Sequence, residues 1–314
     1  MLEITTTRHN HLIDPSLHIW GWEIPVYLFL GGMVAGMMLI SGYFLFSGRY
    51  KETNCSCYYL PIMSFVLLSL GMFALFLDLE HKLYVWRLYT TFQITSPMSW
   101  GSWILILVYP ILFANMLMRP HRLLLEKIPK VKEWHEYLHS KPLLIKNLGV
   151  VSMFFGAAIG LYTGVLLSSL GARPLWSSSI LWMLFLVSGL SGAAAFVHVI
   201  AKNVYERELL AKADNGFLIL ELFIIAVFLI GLSSNSDVHA KAVDLLLTGK
   251  FAAVFWVFVI LMGIVIPLFI QLLAVNHKIR HTPLAPLMVI IGGLILRFVI
   301  VAAGQYSHWY ALTN

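Results

Sequence analysis

Apolar runs of about 20 residues, each long enough to cross a bilayer core, recur along the whole chain. No other feature constrains the fold as strongly. In lipid every backbone polar group must be satisfied within the segment, so each run is expected to form a helix. Only 11% of the 314 residues are charged and 60% are hydrophobic, which excludes a soluble globular domain. The runs place eight spans near 24–46, 59–77, 100–118, 147–168, 180–200, 217–232, 251–274 and 287–306. The sixth is the shortest, ended by the polar segment Ser233–Asp237. An all-α integral membrane protein, one polytopic unit over 1–314, is the expected fold.

Loop charge gives an orientation. Loops 47–58, 119–146, 201–216 and 275–286 hold fourteen Lys and Arg; both tails and the alternate loops hold six. The positive-inside rule makes the first set cytoplasmic and leaves both termini outside. The formal net charge of +6 is thus a matter of topology, with no nucleic-acid partner implied. The polar start, with His9, Asn10, His11 and Asp14, does not read as a cleavable signal peptide, so span 1 is expected to act as its own insertion signal. Segment 119–146 fits either an amphipathic helix lying on the headgroups or a solvated loop. Cys55 and Cys57 are too few to ligate an iron–sulfur cluster and too close for an unstrained mutual disulfide, so they read as incidental.

Ionisable groups inside or at the edge of spans are costly and therefore informative. Glu23 and Tyr27 lie one turn apart on one face at the outer mouth of span 1. Asp78 ends span 2 on the same side, and Tyr162 lies in the outer half of span 4. Phenols and carboxylates beside apolar walls suit a quinone head-group, since a quinol giving up two electrons also loses two protons to groups in hydrogen-bonding reach. Each also has a plainer reading, as an interfacial tyrosine, a helix cap, or a partner of Arg87 or Arg173. Asp214 and Glu221 are seven residues apart on nearly one helix face, and Arg297 lies near the middle of span 8. These three read either as a proton relay or as a buried Glu221–Arg297 ion pair. His198 is the one histidine inside a span, so a facing pair of axial haem ligands is not available, and no metal-ligand spacing is present. Gly31, Gly32 and Gly36 predict close helix packing.

Several motifs together resemble the membrane subunit of polysulfide reductase and its NrfD-like, quinone-interacting relatives. They are Tyr27–Gly36 (YLFLGGMVAG), Asp78 with Ser96–Trp103 (SPMSWGSW), Leu161–Leu167 with Arg173–Trp176 (LYTGVLL, RPLW), Leu220–Leu222 (LEL) and Gly293–Gln305 (GLILRFVIVAAGQ). The resemblance covers essentially the whole chain. It implies two four-helix bundles side by side, no haem and no metal in this chain, and a quinone, typically menaquinone, near the face where an iron–sulfur subunit docks. That subunit would feed a molybdopterin catalytic subunit. The quinone site would fall at Tyr27 and Tyr162, with Glu23 and Asp78 nearby, while Asp214, Glu221 and Arg297 match polar positions associated with proton movement. Relatives with a quinone-bound structure carry a histidine and an asparagine where Tyr27 and Glu23 align, so those contacts are expected to differ in kind here.

A quinol-oxidising anchor of a respiratory sulfur-compound reductase is therefore the expected function. It would sit in the bacterial inner membrane, with its partners on the periplasmic side and terminal reduction in another subunit. A proton-coupled transporter or proton channel is the alternative, although no inverted repeat with interrupted helices is visible. A purely structural anchor would share the same composition.

Overall fold

The computed structural model describes residues 20–51, 58–118, 120, 122–171, 173–276 and 282–307. Cys55, Cys57 and the polar N-terminal residues His9, Asn10, His11 and Asp14 lie outside them. Among the described residues, eight helices are long and apolar enough to cross a bilayer. They are α1 (Glu23–Phe46), α2 (Leu60–Asp78), α4 (Pro97–Met118), α7 (Pro142–Ser168), α8 (Leu181–Ile200), α9 (Val204–Ser233), a span formed by a π-helical segment (Val254–Val265) continued by α11 (Ile266–Val275), and α12 (Leu284–Tyr306). Short helices fill the connections: α3 (Arg87–Thr90), α5 (Arg122–Lys127), α6 (Pro129–Ser140) and α10 (Asp237–Leu247). We term the end at which α1 begins the head end, and the opposite one the tail end.

The first four spans form one bundle, with α1 against α2 and α7 and α4 closing the ring; the last four form a second. The bundles meet where α1 and α7 pack on α8, and α1 on α12. Lipid tails are as apolar as the side chains, so this seam depends on close contact and not on hydrophobic burial. Glycines supply it. A Cβ on Gly36 would collide with the Gly189 carbonyl and the Ala193 side chain, and a Cβ on Gly189 with the Gly32 carbonyl. Replacing Gly36 by alanine is expected to cost about 1–3 kcal/mol, read as a lower midpoint of thermal unfolding in detergent. Gly216 has open space around its Cα, so Gly216→Ala should leave that midpoint unchanged or raise it. Equal losses in both variants would deny the seam its role.

The largest departure from the sequence reading is α9. Expected as the shortest span, it is 30 residues long, about 45 Å at 1.5 Å per residue. Its polar first turns are good helix formers that a hydropathy window does not register. The Asn203 side chain caps it by accepting from the Tyr205 N–H at 3.0 Å. The fourth span likewise starts earlier than expected, at Pro142, because proline suits the first helical position.

The described residues of segment 119–146 lie mostly in α5, α6 and the start of α7. α6 lies across the tail ends of the first bundle: His135 meets the Leu117 carbonyl at 3.2 Å, His139 packs edge-on to Tyr50, and Leu138 joins the cluster containing Phe44, Leu60 and Met118. Trp134 and Tyr137 are exposed on its other flank. The amphipathic reading therefore describes this segment better than a solvated loop.

Candidate functional site

At the head end Glu23 opens α1, its carboxylate folded back over Gly21, where the positive end of the helix dipole favours a negative charge. Asp78 has the opposite setting. It is the last residue of α2, where the dipole disfavours a carboxylate, and it lies in the field of Glu23. Capping does not account for an acid in that place. Nor does pairing with either arginine proposed from sequence: Arg173 donates to the Ser307 carbonyl at 3.1 Å, and Arg87 lies over the Tyr84 ring at 4.8 Å.

One turn beyond Glu23, Tyr27 is buried, and two further phenols, Tyr162 and Tyr89, act on it electrostatically. Tyr162 is held by α7 with its ring flush against Gly101 of α4; any side chain at 101 would occupy the same space. Tyr89, on the short helix α3, has no signal in the sequence that marks it. Burial pushes its phenol up, and the Tyr109 phenol adds to the shift. α3 is positioned by the loop that follows it: Ser99 accepts from the Gln93 N–H at 3.0 Å and donates to the Thr91 carbonyl at 3.3 Å, while Trp100 Nε1 donates to the Ile94 carbonyl at 2.7 Å. Part of the SPMSWGSW motif thus serves as a fastening. A cavity of about 580 Å³ opens beside Asp78, lined among others by Tyr84, Arg87, Leu88, Gln93 and Met98. It reaches Asp78, but Glu23, Tyr27 and Tyr162 are not among its lining residues.

The RPLW and AAGQ motifs close the head end of the second bundle. Trp176 stacks on Trp20 at 5.2 Å between ring centres and donates to the Ile300 carbonyl at 2.9 Å. Gln305 holds the Trp20 backbone at both its N–H and its carbonyl, at 3.1 and 3.0 Å. These are structural roles.

Beside them, His239 on α10 joins the second bundle to the 169–179 loop. Ser177 lies 2.8 Å from its Nε2 and Ser236 lies 2.7 Å from its Nδ1. Burial lowers its pKa. The neutral ring is thus favoured in the folded state, and its contribution is complete above the unfolded value of about 6.5. It is lost as pH falls through the lower, folded value. Protection factors of the α10 amides, corrected for intrinsic exchange, should fall in mildly acidic buffer, and His239→Gln should remove that fall. Protection independent of pH in the wild type would refute this.

The second group lies deeper and toward the tail end. Asp214 is fully buried in α9; Ser191 Oγ donates to its Oδ1 at 2.7 Å and Gln271 Nε2 to its Oδ2 at 2.8 Å. Glu221, two turns on, faces Ser188 of α8 and the field of Arg297. Arg297 is buried in α12, donating to Ser188 Oγ, to the Phe185 carbonyl at 3.0 Å and to the Gly293 carbonyl at 3.1 Å. Its guanidinium also lies over the Phe185 ring at 4.9 Å and against Gly32 of α1. Glu221 and Arg297 are therefore joined through a serine. Two hydroxyls three residues apart on α8 each face one acid of α9, forming a polar track inside the second bundle. Ser188, Ser191 and Gln271 are functional candidates that sequence reasoning misses; the pattern Ser-Gly-Leu-Ser-Gly at 188–192 is the available signal. His198 is buried near the tail end of α8.

Tyr27 belongs to α1, and the Arg297 guanidinium meets the same helix at Gly32, five residues on and about 7.5 Å along the axis. The head-end cluster and the polar track are thus neighbours along one helix.

The chain is similar in sequence to known proteins over nearly its whole length. The family model described as Polysulphide reductase, NrfD matches residues 9–307. The C subunit of polysulfide reductase from Wolinella succinogenes is 28% identical over 316 residues, covering 91% of this chain and 94% of its own length. Protein NrfD homolog of Haemophilus influenzae is 27% identical, covering 93% and 96%. Protein NrfD of Escherichia coli is 28% identical, covering 92% and 96%. A helical membrane protein with eight spans among its described residues, matching the family model over residues 9–307, this chain belongs to the polysulphide reductase NrfD family.

Proposed function

We propose that this chain is the quinol-oxidising membrane subunit of a respiratory reductase acting on polysulfide or a related sulfur compound. Electrons would pass from menaquinol to an iron–sulfur subunit and on to a molybdopterin subunit, which carries out the terminal reduction. The observation that carries this reading is the gathering of Tyr27, Tyr89, Tyr162, Glu23 and Asp78 at one end of the first bundle. Support also comes from the relative named as a subunit of polysulfide reductase.

The residues present fit a quinone head-group. Phenols and carboxylates lie together, Tyr27 packs within an apolar cluster, and the adjacent cavity lies within the ~300–1,000 Å³ usual for a small-molecule site. A bound quinol would supply two electrons and two protons. Tyr27 and Tyr162 would hold its oxygens by hydrogen bonds. Asp78, set at the unfavourable end of a helix dipole and beside a second acid, is the group placed to accept a proton, with Glu23 passing it to water. Asp214, Glu221 and Arg297, linked through Ser191 and Ser188, would form a relay between the tail end and this site. The head end would then face the periplasm, with the tail end in the cytoplasm of a bacterium whose inner membrane holds the complex.

The test is to purify the protein with whatever accompanies it, extract the lipids, and assay quinone, iron–sulfur and molybdenum. All three are expected. Their joint absence from an intact complex would overturn the proposal, and proton flux through quinone-free liposomes would favour a channel.

A further inference from the structure

Gln271 projects from α11 into the second bundle and is 1% exposed. Half of its amide is committed, with Nε2 donating to Asp214 Oδ2 at 2.8 Å. On the same carbon, Oε1 is buried and receives no hydrogen bond from any described residue. A buried acceptor with no protein partner is costly, so the arrangement needs a reason.

The chemistry of the acid provides one. A carboxylate only accepts hydrogen bonds, whereas a carboxylic acid donates one. Ser191 Oγ already donates to Oδ1, which leaves Oδ2 as the oxygen facing the amide. While Asp214 is ionised, Nε2 is the correct half to face it. Once Oδ2 carries a proton, Nε2 opposes that proton donor to donor. A half-turn about the Cγ–Cδ bond brings Oε1 to the same place, where it accepts from the acid, and leaves Nε2 in the position Oε1 held. The two halves of an amide are nearly the same size, so the turn needs almost no extra space.

The Ser191 hydroxyl, both donor and acceptor, can turn to meet a proton on Oδ1, whereas at Oδ2 the Gln271 amide is the group that must turn. Ser191 keeps its own place on Oδ1 from α8, Glu221 acts through space from the same helix α9, and Arg297 of α12 is engaged by Ser188 and two backbone carbonyls. The backbone before α11 is π-helical over Val254–Val265. Its i→i+5 bonding takes one more residue per ring than an α-helix and so sets the face on which Gln271 falls; such backbone recurs at functional sites.

We propose that Gln271 is a positioning residue for the proton on Asp214: its amide presents Nε2 to the carboxylate and turns to present Oε1 to the carboxylic acid. No electron moves and no bond other than O–H forms. One proton arrives at Oδ2, and one hydrogen bond reverses its direction. This deepens the relay reading, because a group that stabilises both forms of an acid lets the proton arrive and leave without a trapped state.

The test is a pH-difference infrared spectrum of the full chain, with its accompanying subunits, in lipid nanodiscs and carrying glutamine labelled at Cδ. Protonation should produce a carboxylic-acid carbonyl band that Asp214→Asn removes. Alongside it a labelled amide carbonyl band should shift, and both Gln271→Leu and Asp214→Asn should abolish that shift. Gln271→Met serves if the leucine variant does not fold. An Asp214 band with no accompanying glutamine band overturns the proposal. So does a glutamine band that survives the Gln271 variants, or an Asp214 that does not titrate while the protein stays folded. Quinol-linked turnover that is unchanged in Asp214→Asn would remove the relay reading while leaving the amide coupling intact.

Discussion

Arg297→Met is expected to remove about 3–5 kcal/mol of stability, the usual cost of deleting one member of a buried charged set. The methionine fills much of the same volume but leaves Ser188 Oγ, two backbone carbonyls and Glu221 facing one another without a cation. The measurement is the unfolding midpoint of purified protein, together with the amount recovered from membranes. The double variant Arg297→Met, Glu221→Met should regain a good part of the loss, because it removes both charges at once. If the two single losses simply add, Glu221 and Arg297 are not coupled through Ser188.

Tyr27→Phe and Tyr162→Phe should each lower quinol-linked turnover by about 10²-fold, the low end of what a positioned proton-transfer group contributes. Protein levels in the membrane should not change, since each variant loses only one oxygen and keeps its ring. The ring of Tyr162 against Gly101 is what the packing requires. Their combined effect should fall short of the product if both phenols serve one bound head-group. Full turnover in both single variants would place the site elsewhere, with the cavity beside Asp78 the next candidate.

Which parts of the molecule could be read from the sequence follows from how each kind of residue registers. The spans are read by length and hydropathy, and seven of the eight fall close to their expected positions. Gly32 and Gly36 are also legible, because small residues at helical spacing in an apolar run have few other uses. Charged groups such as Asp214, Glu221 and Arg297 stand out for their cost in lipid. Their partners do not. Ser188 and Ser191 are small enough to pass as packing residues, and Gln271 differs little in size from its neighbours. Only the crossing of α8, α9 and α11 reveals what they face. Tyr89 is hidden for another reason: its place beside Tyr27 depends on a loop pinned by Ser99 and Trp100, and such pinning has no periodic signature. The polar start of α9 and the π-helical turn of the seventh span escape because hydropathy senses neither charged helix nor hydrogen-bond register.

The glycine seam has a consequence for biosynthesis. α1 is the first of the eight spans to leave the ribosome, and in the finished protein it is the most enclosed. Its notch at Gly32 and Gly36 is filled by α8, and the same stretch is walled by α12. Neither partner exists until more than half of the chain has been made. During that interval a helix with a bare glycine groove and a buried-to-be phenol must wait in lipid, where small residues offer a neighbour little to grip. The first helix to be inserted stays incompletely surrounded until the last one, α12, arrives.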